Sequence, residues 1–324
     1  MVNAEKHQQK PSGLVGTHTR LEGLIALKSA AASLSLAPNR KATRQLAGPY
    51  QTRLKGRGMD FDEVRGYQPG DDVRNIDWRV TARTTVAHTK TFTEERERPV
   101  LIFCDQRNSL FFGSQVRFKS VQAANIAALL AWAALKRKDR VGGFVLGTEQ
   151  ILEFKCQRSD KAVLKMLAGL DQLNRQLQGP NPAADITPVG FTEALTDLRR
   201  IAKTGNSIYL ISDFFDLDED GLRQLYELSR HNSVTAFRVF DPLERELPPA
   251  GVYTISDGIH RTWVDTGDPG KRQRYRDQAQ RRVDELHTEL GRLGIPLAEI
   301  STTDSALDTL GRLFQRTRRR AGSA

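Results

Sequence analysis

Cysteine is scarce in this sequence. Cys104 and Cys156 are the two it has, far apart, with no CxxC and no zinc spacing. That argues against a disulfide framework and leaves two buried free thiols as the expectation. Long apolar runs are missing too. The longest, Ala123 to Leu135, is interrupted by Asn125 and is too short to span a bilayer. The apolar stretch near the N-terminus contains Glu22 and Lys28, so no signal-peptide core is read there. A soluble, cytoplasmic protein is the expectation. Catalytic signatures are also absent. There is no GxxxxGKS or GxxxxGKT phosphate loop, no GxGxxG behind a strand, no HExxH and no GxSxG. The six histidines, at 7, 18, 88, 231, 260 and 287, are scattered. Enzyme chemistry has no clear carrier, and a Mg²⁺-dependent hydrolase finds little support in dispersed Asp and His residues.

What is present is enough for a core. Apolar residues make up 39% of the chain and 14 are Phe, which excludes a wholly disordered protein. A length of 324 residues suggests one large domain with additions, or two domains. The net charge of +10 is uneven. Residues 1–59 hold ten Lys/Arg against two acids, and residues 271–324 hold twelve against seven, so the middle is slightly acidic. The basic character belongs to the ends. A protein that reads DNA with its core would carry it in the core instead, so nucleic acid is not the expected partner.

Residues 1–20 read as a polar, mobile lead, followed by an amphipathic helix from Leu21 to Leu36 with Leu24, Leu27, Ala31 and Leu34 on one face. Residues 1–47 are assigned to this lead and helix. Residues 48–98 form a small strand-and-turn element, with Pro69-Gly70 as a turn and Val86 to Phe92 as a strand. From 99 to 324, short apolar runs alternate with helical patterns. Strands are expected at 100–104, 141–146, 151–155, 207–211, 234–240 and 295–300. Helices are expected at 118–136, 161–177, 192–202, 218–230, 272–293 and 305–316. A hairpin is read at 252–264, turning at Asp257-Gly258, and a linker at 179–182. This alternation predicts an α/β fold: a Rossmann-like, mostly parallel sheet with helices on both faces, plus a small N-terminal β-rich element. Ligands of such sheets sit beyond the carboxyl ends of the strands.

Three places follow strands or open helices there. They are Asp105 to Ser109, Thr192 at a helix start, and Asp213 after Ile208 to Ile211. Two carboxylates and the hydroxyls could hold a hard cation such as Mg²⁺. Singly, each has a plainer structural role, such as helix capping. The acids Asp216, Asp218, Glu219 and Asp220 read as a favourable helix N-terminus. The run from Arg65 to Arg83, with Arg65, Tyr67, Asp71, Asp72, Arg74, Asp77 and Trp78, admits two readings. It is an ion-pair network with Tyr67 and Trp78 as apolar support, or a docking surface.

That run, R-G-Y-Q-P-G-D-D-V-R-N-I-D-W-R-V-T-A-R, resembles the bacterial domain-of-unknown-function 58 family, which is von Willebrand factor A-like. So do Asp241-Pro242-Leu243-Glu244 and Leu247-Pro248 after a strand. The resemblance implies a metal-ion-dependent adhesion site patterned DxSxS, Thr, Asp. Asp105 and Ser109 match its first and last positions, Thr192 the Thr and Asp213 the distal Asp. Arg107 replaces the middle Ser. An Arg offers no acceptor and a permanent charge. The site is therefore expected to be degenerate, with Arg107 near Asp105 or Asp213 in place of a cation; if Arg107 points outward, weak Mg²⁺ binding remains. The family similarity further implies a non-enzymatic interaction module. It would act as adaptor or co-chaperone beside a MoxR-type AAA+ ATPase, in the maturation of another protein or complex. The alternative is nucleic-acid or peripheral membrane association through the basic termini, with Arg316, Arg318, Arg319 and Arg320 as the contact cluster. The plainer reading of that cluster is a solvated, disordered tail.

Overall fold

The computed structural model describes residues 13–36, 59–68, 71–84, 86–94, 99–178, 188–256 and 261–322. These fall into two compact units, one drawn from 1–45 and 98–324 and the other from 46–97. The expected turn at Pro69-Gly70, the linker at 179–182 and the turn at Asp257-Gly258 lie outside the described residues.

The large unit is built on six strands: β3 (Pro99–Gln106), β4 (Arg140–Gly147), β5 (Ile151–Gln157), β6 (Ser207–Ser212), β7 (Ser233–Phe240) and β10 (Leu297–Ser301). Their order is β10-β7-β6-β3-β4-β5, parallel throughout except for the edge strand β5, which runs antiparallel to β4. The fold is the mostly parallel α/β sheet that the alternation predicts. β3 and β6 are continuous apolar runs because both faces of the sheet are covered. Successive residues alternate between two cores. Val100, Ile102, Cys104, Tyr209 and Ile211 pack on one side; Leu101, Phe103, Ile208 and Leu210 pack on the other. Cys104 is buried in the first core. Cys156 is half-buried against the second, so it is not the fully buried thiol expected, and both thiols are free.

The first core is covered by α1 (Leu21–Ala31), α3 (Lys119–Lys136), α4 (Asp160–Gln176) and α8 (Ala306–Gly322). The second is covered by α5 (Phe191–Ile201), α6 (Glu219–His231) and α7 (Pro269–Arg292). The apolar stretch within 123–135 is thus a central helix, buried almost all round. Among the described residues no helix is long and apolar enough to cross a membrane.

Two expectations about the ends are corrected. The lead is fastened from residue 13 onward: the Asn125 side chain exchanges hydrogen bonds with the backbone of Leu14, and Thr19 donates its hydroxyl to Asp171 at 2.6 Å. α1 then buries Leu24, Leu27 and Ala31, and the Trp132 indole donates to Leu24 O at 3.1 Å. At the other end α8 continues to Gly322, so the backbone of the arginine cluster is helical, not an irregular tail. β8 (Val252–Ser256) and β9 (Arg261–Asp265) form the expected hairpin as a separate antiparallel pair.

The small unit pairs β1 (Met59–Gly66) with β2 (His88–Glu94) in antiparallel register, with a bulge between Phe61 and Glu63. Between them lie a 3₁₀ turn, Val73–Asn75, and the two-turn helix α2 (Trp78–Thr84).

In the large unit the chain leaves β3 for β4 on one side and later returns to β6 on the other. The crevice beyond the carboxyl ends of β3 and β6 is therefore the switch point at which such sheets receive ligands.

Candidate functional site

The side-chain alternation of the strands decides what meets in that crevice. Asp105 continues the parity of Leu101 and Phe103, toward α5 and α6. It is completely buried. Its Oδ1 accepts from the Arg107 backbone N–H at 3.1 Å and from Arg107 Nε at 3.0 Å. Its Oδ2 accepts from Arg107 Nη2 at 2.8 Å and from the Ser212 hydroxyl at 2.7 Å. The far side of the same guanidinium grips Asp216, Nη1 to Oδ2 at 2.5 Å and Nη2 to Oδ1 at 3.0 Å. Its carbon lies 5.2 Å from the centre of the Phe191 ring, an arrangement that favours a cation. Burial opposes the charge on Arg107, but the two carboxylates outweigh it and hold the group firmly protonated. Burial pushes the Asp105 carboxyl up, against the pull of Arg107, and Asp213 nearby pushes the same way.

Asp213 follows the parity of Tyr209 and Ile211, toward α3. There it meets Lys119, the first residue of that helix. Lys119 Nζ donates to Asp213 Oδ2 at 2.8 Å and to Glu244 Oε1 at 2.6 Å. A helix N-terminus disfavours a cation, and burial lowers the ammonium's pKa. The two carboxylates outweigh burial and raise it overall. Glu244 is itself fixed, because its Oε2 accepts from the Asp241 N–H at 3.1 Å in a capping box.

The turn after β6 carries a strained residue. Phe214 has φ +56°, a left-handed conformation that is rare for a bulky side chain. It turns Phe214 into the core against Phe191, ring centres 5.8 Å apart, and leaves Phe215 73% exposed. Phe215 borders a cleft of about 530 Å³, lined also by Leu217, Leu222, Arg238, Arg282 and Leu286. The Arg282 guanidinium stands 5.4 Å from the Phe215 ring.

The four residues read as a ligand set are thus not brought together as one. Asp105 and Asp213 hold separate cations on opposite faces. Ser109 is exposed on a 3₁₀ turn, Asn108–Leu110. The Thr192 hydroxyl donates to Asp218 Oδ1 at 2.6 Å, the residue that caps α6, and so serves a helix end. Arg107 does reach Asp105, but its second partner is Asp216, not Asp213. Asp216 accordingly is not the helix-terminus acid expected. The donor set does not fit a divalent cation, because a guanidinium and an ammonium already occupy both aspartates. No motif in the sequence singles out Lys119, Phe215 or Arg282, and Asp216 and Glu244 are read there in other roles, as a helix-terminus acid and as part of the family resemblance. A lysine opening an otherwise apolar helix was the one signal available for Lys119.

In the small unit the acids of the Arg65–Arg83 run serve the local backbone. Asp71 accepts from Arg65 Nη2 at 2.9 Å and from the Gln68 N–H at 2.9 Å. Asp72 accepts from the Arg74 N–H, and Asp77 from the N–H groups of Arg79 and Val80 at the start of α2. Tyr67 is half-buried. Trp78 is 70% exposed, which corrects the expectation that it serves as buried apolar support.

A family model described as "Protein of unknown function DUF58" matches residues 63–285. The chain belongs to the DUF58 family. The uncharacterized proteins Rv1480 of Mycobacterium tuberculosis (strain ATCC 25618 / H37Rv) and Mb1516 of Mycobacterium bovis are each 28% identical over 327 residues, covering 98% of this chain and 98% of their own. Among solved structures, the conserved hypothetical protein BatB from Bacteroides thetaiotaomicron is similar at TM-score 0.40 and 13% identity, over 68% of this chain and 99% of BatB. A von Willebrand factor type A protein from Catenulispora acidiphila is similar at TM-score 0.33 and 12% identity, over 72% of this chain and 43% of its own. The DUF58 span holds both the run at 65–83 and every member of the strand-end cluster: Asp105, Arg107, Lys119, Asp213, Asp216 and Glu244. It ends within α7, the helix that carries Arg282.

Proposed function

We propose that this DUF58 protein is a non-enzymatic protein-interaction module whose strand-end crevice seats a partner. The observation that carries the reading is the pairing of Arg107 and Lys119 with Asp105 and Asp213 at the switch point, beside the exposed Phe215. In this reading the site is a degenerate metal-ion-dependent adhesion site, in which fixed side-chain cations do the structural work of a metal and no cofactor is needed. Such a site is rigid, because each charge is buried and multiply hydrogen-bonded. Rigid scaffolds with a projecting aromatic suit docking, since aromatic and Arg side chains dominate interface energetics. The resemblance of the Arg65–Arg83 run supports a cytoplasmic MoxR-type AAA+ ATPase as the partner, with the chain as adaptor or co-chaperone for a client protein.

The test is capture of a purified MoxR-type ATPase from the same cell by the full chain, with and without nucleotide. Phe215→Ala removes an exposed side chain and should leave the fold unchanged while weakening capture at least about tenfold, as expected for a hot-spot aromatic. Undiminished capture by the folded variant would count against the crevice. Failure of the wild type to bind any such ATPase would count against the partner.

A further inference from the structure

We infer that the outer face of α2, formed by Trp78, Arg79, Ala82 and Arg83, docks an acidic surface of a partner protein. This surface belongs to the small unit and does not depend on the strand-end reading. At 3.6 residues per turn these four side chains share one side of the helix, with Val80 and Thr81 on the other. Exposure follows that division: Trp78, Arg79, Ala82 and Arg83 are exposed, whereas Val80 and Thr81 are half-buried.

The stretch 71–84 has three acids and three arginines, so its sequence looks neutral. The fold separates the two signs. Asp71, Asp72 and Asp77 all precede α2, and their carboxylates are engaged with Arg65 and with backbone N–H groups. Arg79 and Arg83 stand one turn apart along the helix. Among the described residues no acid pairs with either of them. Two like charges at i and i+4 weaken a helix slightly, and an indole left 70% exposed buries little of its own surface. The small unit gains nothing from this arrangement by itself. A partner would: Trp and Arg are the residue types that contribute most when an interface closes over them. Positive charge on the face calls for negative charge opposite. Nucleic acid fits less well, since its binding rests on neutralising many phosphates along a basic track, and this face carries two arginines.

The test uses the full chain in its own cells with a photo-crosslinker, p-benzoylphenylalanine, in place of Ala82. That position shares the face and leaves Trp78, Arg79 and Arg83 intact. The expected result is an adduct with another protein, joined at a segment rich in Asp and Glu. Arg79→Glu with Arg83→Glu should cut the adduct at least about tenfold, and so should Trp78→Ala, in each case without a change in Tm, because the altered side chains are exposed. With the partner purified, exchanging the acids of that segment for Lys should restore capture by the double-glutamate variant. Four outcomes would overturn the inference: no adduct, an adduct with nucleic acid or with a second copy of this chain, a joined segment that is not acidic, or a yield indifferent to charge reversal.

Discussion

In the proposed reading of the crevice as a degenerate adhesion-type site, Arg107 stands where that pattern has a Ser. A Ser there would give the metal of an adhesion-type site a neutral oxygen; the Arg fills the space with charge and joins Asp105 to Asp216. Arg107→Ser alone is not enough to restore a metal site, because Lys119 still neutralises Asp213. The variant should lose about 3–5 kcal/mol, the usual cost of breaking a buried ion pair. Its Tm should respond only weakly to millimolar Mg²⁺, and the wild-type Tm not at all; a wild-type Tm that climbs with Mg²⁺ would defeat this account. Asp241 offers a pH test at the same scale. It is fully buried. Burial alone would raise its pKa, but hydrogen bonds from the Ser114 hydroxyl at 2.6 Å, the Thr302 hydroxyl at 2.6 Å and the N–H groups of Leu243 and Ser114 hold it below the usual carboxylate range. A lowered folded pKa contributes stability that is complete above the unfolded value of about 3.9 and is lost as pH falls through the folded value. Asp241→Asn puts a donor where donors already point and should cost about 1–3 kcal/mol at pH 7. Urea unfolding should show that gap steady down to about pH 5 and closing below about pH 4. A gap that widens in acid would contradict the assignment.

At the scale of elements, what was legible depended on whether the signal was local. The strands β3, β6 and β7 and the helices α3 to α7 follow from apolar periodicity, and each begins or ends within a few residues of its expected bounds. β1 carried no such signal. Met59–Gly66 has three acids and an arginine among its eight residues, and it is a strand because β2 pairs with it. The lead looked mobile for the same reason. Its polar composition gave no hint that Asn125 and Asp171, more than a hundred residues away, would supply the hydrogen bonds that fasten it. The strand-end site divides likewise. Asp105 and Asp213 were visible as acids at the ends of apolar runs. Their partners were not, because which cation faces which acid is set by side-chain parity and by helices that arrive later in the chain. Thr192 illustrates the error: a hydroxyl at a helix start matched the pattern, yet the cap of the neighbouring helix claimed it.

For the molecule as a whole, the charge asymmetry of the sequence and the chemistry of the crevice lead to the same expectation about nucleotides. The chain is +10 overall, but its excess lies in the terminal segments. In the crevice, where an α/β sheet would receive a phosphate, two cations face four carboxylates: Arg107 with Asp105 and Asp216, and Lys119 with Asp213 and Glu244. The adjoining cleft adds Arg238 and Arg282 but also Glu285 and Glu289, so the surplus around the crevice is negative, which disfavours a triphosphate. The sequence also lacks the glycine-rich loop whose N–H groups would cradle phosphates. The purified chain should therefore bind ATP too weakly to register by calorimetry at about 100 µM and should release no phosphate above background. The decisive control is Arg107→Ala. Any ATPase activity that co-purifies with the wild type and persists in this variant comes from a contaminant or a bound partner. Activity that survives rigorous purification and vanishes with Arg107→Ala, while the variant stays folded, would make the crevice a catalytic site and overturn the non-enzymatic reading.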